Sequence, residues 1–247
     1  MHIKDGLLFD RNIRKVSLMV EMNWHNRAIS ERKKFVLTGG SSIAFFAVTL
    51  LLIFLSYYFV DRPVAIFCRQ IDQNIVQVFD WITELGISTW YLVASLFLFV
   101  IFRFYRKNRV NANQALFVFA AVALSGIAAI VVKLTVARYR PKIFFEKGLY
   151  GFDFFNGGSE FNSFPSGHAT TIFSLATAMS LFWPKYRAYF FVVAFAVALS
   201  RIVLTSHFVS DVIAGAFIGA LTVLLLKKYI PDRFSILEKP SENSLLE

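Results

Sequence analysis

Histidine is scarce in this chain. Only four occur, and two of them stand where they could do chemistry. His207 lies four residues before Asp211 in Ser200-Arg201-x5-His207-x3-Asp211, a spacing that puts both on one face of a helix. A carboxylate placed there can accept the imidazole Nδ1–H, fix the tautomer and leave Nε2 free to attack, with histidine itself as the nucleophile. A structural His–Asp hydrogen bond explains the pair too when it is taken alone. His168 closes Pro165-Ser166-Gly167-His168, directly before an apolar run. Ser166 is a good N-cap and Gly167 lets backbone amides approach a ligand, so this helix start offers an anion site with His168 beside it.

The third group is Lys133 with Arg140-Pro141. Seven residues return to nearly the same helical face, so both cations can point into one cleft. Snorkelling to lipid headgroups explains that pair equally well by itself. The conjunction carries more than any part. Cations at 133, 140 and 201, an amide nest, two histidines and an orienting carboxylate supply what phosphoryl transfer needs: charge neutralisation, an in-line nucleophile and an acid for the leaving group. His2 and His25 look incidental.

The elements that must position these residues are membrane helices. The chain is 57% apolar and only 17% charged over 247 residues, too little charge to cover a soluble surface. Its apolar residues come in long runs rather than amphipathic stripes. Runs of roughly 17–25 apolar residues mark spans, and six lie near 36–60, 88–104, 113–133, 167–183, 188–205 and 208–226. The expected fold is an all-α integral membrane bundle of six transmembrane helices. Of its 26 Lys and Arg residues, 18 fall in segments that share a side with the N-terminus. Both termini are therefore expected in the cytoplasm, with all three motifs at the outer face.

Residues 1–35 form a cytoplasmic segment, with a weak surface-helix pattern over 7–24, and residues 227–247 form a tail expected to be mobile. Between them, 36–226 is the transmembrane domain. Within it, 61–87 reads as an amphipathic helix in the outer interface, because Ile71, Ile75, Val78 and Ile82 recur at helical spacing. The long outer loop, 134–166, is rich in Gly, Phe and Asn. Residues 1–35 contain no compact apolar run, so the first span is expected to act as the insertion signal. The net charge of +10 sits at the ends of apolar runs, unlike the contiguous basic face that binds nucleic acid. Cys68, the single cysteine, says nothing about redox compartment. The 29 phenylalanines are read as lipid-facing and interhelical packing.

Lys133-x6-Arg140-Pro141, Pro165-Ser166-Gly167-His168 and Ser200-Arg201-x5-His207-x3-Asp211 together resemble the three-part signature of the type 2 phosphatidic acid phosphatase family, complete and in order. The resemblance implies that His207 attacks phosphorus to form a phosphohistidine, with Asp211 orienting it and His168 protonating the leaving group. It also implies that Lys133, Arg140, Ser166, the Gly167 amide and Arg201 hold the phosphate, and that no metal or other cofactor is needed. A zinc site of His168, His207 and Asp211 is chemically conceivable, but the neighbouring cations would repel a metal.

The implied partner is a membrane lipid with a phosphorylated headgroup. Without N-x-S/T sites in its outer loops, the chain looks like bacterial inner-membrane members, with the active site facing the periplasm. Arg138, Lys142 and Lys147 add positive charge to the outer loop, which would suit a polyanionic headgroup. The resemblance leans toward lipid A 1-phosphatases, with undecaprenyl pyrophosphate and phosphatidylglycerophosphate phosphatases next. Two other readings compete: a lipid phosphotransferase using the same site, and a transporter or flippase. The second predicts midplane charges and repeated halves, whereas here the charges sit at one end.

Overall fold

A computed structural model describes residues 39–229. The expected surface helix at 7–24 and the tail from Pro231 lie outside the described residues. Contacts divide the chain into residues 1–48 and 49–247, and of the first unit the described residues 39–48 are helical. The protein is an all-helical integral membrane bundle. Among the described residues the only extended pairing is two isolated bridges, from Arg138 to Phe152 and to Asn162.

Helix α1 (Gly39–Leu55) runs through a π-helical turn, Ser56–Val60, into α2 (Asp61–Cys68). After a break, α3 (Gln73–Thr83) leads through a 3-10 turn at Glu84–Gly86 to α4 (Ser88–Val100) and a π-helical end at Ile101–Tyr105. Then come α5 (Arg109–Val136), the short α6 (Pro141–Lys147), α7 (Gly167–Phe182), α8 (Arg187–Val203) and α9 (Val209–Tyr229).

Among the described residues, five stretches are long and apolar enough to cross a membrane: Ile43–Cys68, Gln73–Tyr105, Arg109–Val136, Pro184–Val203 and Val209–Tyr229. The sixth expected run, 167–183, forms α7, whose 16 residues rise about 24 Å at 1.5 Å per residue, short of the roughly 30 Å hydrocarbon core. Its sequence explains its place. Thr170, Thr171, Ser174 and Thr177 are buried, and Thr170 and Thr177 hydroxyls donate to the carbonyls of Ser166 and Phe173, one turn back, at 2.9 and 2.7 Å. Small side chains let neighbours pack closely around α7. Closest is α9, where a Cβ on Gly215 would strike the Ser166 carbonyl and one on Gly219 the Thr170 carbonyl. That G-x-x-x-G spacing is the membrane device for backbone-to-backbone approach.

Segment 61–87 differs from its expected form. It is not one amphipathic helix: α2 continues α1, and α3 starts anew where Asp72 caps it, accepting from the Asn74 amide at 2.8 Å. Ile71 falls in the break. On α3 and the turn after it, Ile75, Val78, Trp81 and Leu85 form an exposed apolar stripe, while Thr83 and Gly86 are buried.

Candidate active site

The last turn of α5 carries Lys133, and Ala137 stops the helix in the left-handed conformation at φ 44°. The chain then turns to present Arg140 just before Pro141, the first residue of α6. Lys133 Nζ donates to the Asn162 carbonyl at 2.9 Å, and Arg140 Nη2 reaches the same oxygen at 3.5 Å. Both cations therefore converge on the loop that leads into α7.

Ser166 occupies the N-cap of α7, and its amide donates to the Asp211 carbonyl at 3.0 Å, which ties the second motif to the third. His168, in the first turn, lies within electrostatic reach of Arg201, His207, Lys133 and Arg140. Arg201 lies in the last turn of α8 and donates to Thr83 Oγ1 at 2.7 Å. All the residues expected in the site are gathered at one end of the bundle.

Three of them share a second property. Arg140 Nε, Ser166 Oγ and Arg201 Nε are buried and have no hydrogen-bond partner among the described residues. Only Arg138 Nε and Ser174 Oγ join them in that state. An unmet buried donor costs on the order of 1–3 kcal/mol, and these three come from three different motifs.

His207 sits in the turn between α8 and α9 and is 4% exposed. Its Nδ1 lies 2.8 Å from the Ser163 carbonyl. A carbonyl can only accept, so Nδ1 carries the proton and Nε2 holds the lone pair. Asp211 was the expected acceptor, yet its Oδ2 is 3.8 Å from Nδ1, beyond hydrogen-bond range. Instead that oxygen accepts from Ser163 Oγ at 2.6 Å and from the Phe208 amide at 2.8 Å. Asp211 thus grips the residue that holds His207 and the residue that follows it. The Phe208 contact is also a carboxylate reaching back to close the first turn of α9. Burial lowers the His207 pKa to about 4, helped by the charges of Arg201 and Lys133 and opposed by Asp211. The imidazole is neutral near pH 7.

Arg138 overturns an expectation. It adds no charge to the outer loop surface, being 0% exposed. Its Nη1 donates to Asp211 Oδ1 at 2.5 Å and Ser210 Oγ at 2.6 Å, its Nη2 to Asp61 Oδ2 at 2.7 Å and Tyr150 Oη at 3.0 Å. The rings of Phe208 and Tyr57 lie 4.5 and 4.9 Å from the guanidinium. Burial alone would lower its pKa, but the charges of Asp211 and Asp61 raise it. Asp61 in turn accepts from the Ser210 amide at 2.9 Å. Asp61 and Ser163 escaped the sequence reading, as did the buried role of Arg138. A carboxylate and a guanidinium at the ends of different apolar runs were the available signal.

Gly86 escaped it too. A Cβ there would stand 2.6 Å from His168 Cδ2, so the turn between α3 and α4 needs glycine to seat the imidazole. His168, His207 and Asp211 do not form a metal site, since Asp211 is committed to Arg138, Ser163 and Phe208. Among the described residues no three His, Cys, Asp or Glu side chains group for a metal.

Residues 114–235 match the PAP2 superfamily. A lipid A 1-phosphatase of Rhizobium johnstonii is 34% identical over 72% of this chain and 76% of its own length. The chain belongs to the PAP2 superfamily. This PAP2 protein is a lipid phosphate phosphatase, and the resemblance carried by its three motifs holds. Two crystal structures share the fold. Aquifex aeolicus LpxE matches at TM-score 0.50 and 21% identity, covering 69% of this chain and 96% of that one. A transmembrane PAP2 type phosphatidylglycerolphosphate phosphatase from Bacillus subtilis matches at 0.51 and 22%, covering 76% and 94%.

Proposed function

We propose that this PAP2 phosphatase removes a phosphate from a lipid headgroup at the outer face of a bacterial inner membrane, with lipid A 1-phosphate as the leading substrate. The observation that carries the mechanism is the cradle of unmet donors, Arg140 Nε, Ser166 Oγ and Arg201 Nε, beside a neutral histidine whose Nε2 is unprotonated. The phosphate oxygens complete those donors, joined by Lys133 and the Gly167 amide. His207 Nε2 attacks phosphorus in line, the bond to the lipid oxygen breaks, and His168, carrying a proton taken up beside the bound phosphate's negative charge, gives it to that oxygen. Water then attacks the phosphohistidine, loses a proton to His168 and releases phosphate. No step calls on a metal or cofactor.

The substrate reading is supported by the identity to the Rhizobium lipid A 1-phosphatase. In the membrane, α7 acts as a sixth span enclosed by the others, with both termini cytoplasmic and the site periplasmic. The test is phosphate release from lipid A in detergent micelles by the purified protein. Wild type is expected to release it, and His207→Ala to fall by at least about 10³-fold, the scale of losing a nucleophile. Full activity in that variant would sink the phosphohistidine.

A further inference from the structure

On the side of Arg140 that faces α6, a cavity of about 380 Å³ opens between that helix and the turn that precedes His207. Arg69, Arg140, Lys142, Glu146, Thr205 and Ser206 contribute to its walls. Three cations face one carboxylate, so the cavity favours an anion.

None of its cations is fully spent. Arg69 is held in place by Phe145, whose ring lies 4.3 Å from the guanidinium, and no carboxylate pairs with it among the described residues. Lys142 makes only a long 3.9 Å contact with Glu146, both side chains exposed, the kind of surface pair that contributes little. Arg140 belongs to both sites, because it lines this cavity and also holds an unmet donor of the phosphate cradle. Thr205, a β-branched residue at φ 48°, fixes the turn in a conformation such residues rarely adopt. Ser206 continues directly into His207.

We infer that this cavity is a second anion subsite, which takes a further phosphate of the headgroup whose scissile phosphate lies in the cradle. The inference rests on the phosphatase reading above and adds a specificity to it: the enzyme favours headgroups with two phosphates. Free phosphate left by turnover has the same chemistry and is the other possible occupant. General attraction of Arg69 and Lys142 to an anionic membrane surface would act on every substrate alike.

The experiment compares two lipids that differ by one phosphate, lipid A 1,4′-bisphosphate and lipid A 1-monophosphate, with the full-length protein in neutral detergent micelles. Arg69 and Lys142 are exposed, so Arg69→Gln/Lys142→Gln does not remove buried packing. The double variant is expected to raise KM for the bisphosphate roughly tenfold, the scale of one or two charge-assisted contacts. KM for the monophosphate should stay within about twofold, and kcat should hold on both. An equal rise on both lipids, or no rise on either, overturns the inference. A tenfold weaker inhibition by inorganic phosphate with an unchanged bisphosphate KM overturns it in favour of the product. Equilibrium binding of the two lipids to the His207→Ala protein reads the same ratio without turnover. That separates failure of the subsite from failure of the phosphatase reading, which would show as no phosphate release by wild type.

Discussion

Two sides of His207 are built on opposite rules. Behind the imidazole, Asp61, Arg138, Ser163, Ser210 and Asp211 form a buried network in which every carboxylate oxygen of Asp61 and Asp211 has a donor. In front of it, Arg140, Ser166 and Arg201 hold buried donors that nothing among the described residues satisfies. The first side satisfies both of its carboxylates and leaves over only Arg138 Nε; the second, in the proposed mechanism, keeps its donors open for the phosphate. Replacements on the two sides should therefore be felt in different measurements.

Arg138→Met should have the largest effect. It strands Asp61 and Asp211 in the interior without their shared cation, and removing one partner of a buried ion pair costs about 3–5 kcal/mol. We expect poor yield and a large fall in apparent Tm in detergent, with activity lost as a consequence. Adding Asp61→Asn removes one of the two stranded charges and should restore part of the Tm. Unchanged stability in the single variant would show that the network is not structural.

Arg201→Gln tests the other side. The guanidinium already meets Thr83, and the rest of its capacity is held open. Phosphate release is expected to fall on the order of 10²–10³-fold, as when a donor to developing charge is removed. The apparent Tm should hold or rise, because an unmet buried charge is relieved. A Tm loss as large as that of Arg138→Met would erase the distinction between the two sides.

That distinction was half legible in the sequence. The open side was readable because its residues are charged or catalytic types at helix ends, and spacing alone puts them at one face. The closed side was not. Arg138 shows its charge in the sequence but not its partner, and Asp61 lies 77 residues away. The acceptor of the His207 proton is a backbone carbonyl, which any residue at position 163 could offer. Helix bounds were readable for α5, α8 and α9 because their apolar runs are long. Helix α7 was readable as well, its run of 167–183 reaching one residue past Gly167–Phe182; the break in 61–87 was not, because periodicity continues through Ile71 although the helix does not.

Gly86→Ala should have a smaller effect. The added methyl meets His168 Cβ, Cγ and Cδ2 at 2.6–2.9 Å, so the imidazole must shift. A displacement near 1 Å at a reacting group costs up to about 10²-fold in rate. We expect kcat to fall by roughly 10–100-fold with a modest change in Tm, measured on the same lipid substrate. Normal kcat would mean that His168 does not act from this position.

The smallest effect, and the one that joins the two sides, is a pH limb. His207 attacks only when neutral, and its pKa is lowered to about 4 by burial and by the cations in front of it. Because kcat/KM reports ionisations of the free enzyme, its acid limb from this group should lie near pH 4, below the ordinary histidine range near 6.5. Stability follows the same proton. The unfolded chain takes it up as pH falls through about 6.5 while the folded imidazole resists until about 4, so the neutral buried ring contributes fully above 6.5 and loses that contribution across the window. Removing the Arg201 charge favours the imidazolium, so Arg201→Gln should move the acid limb to higher pH. A limb that stays in place would mean that burial alone, and not the open cations, keeps the nucleophile neutral.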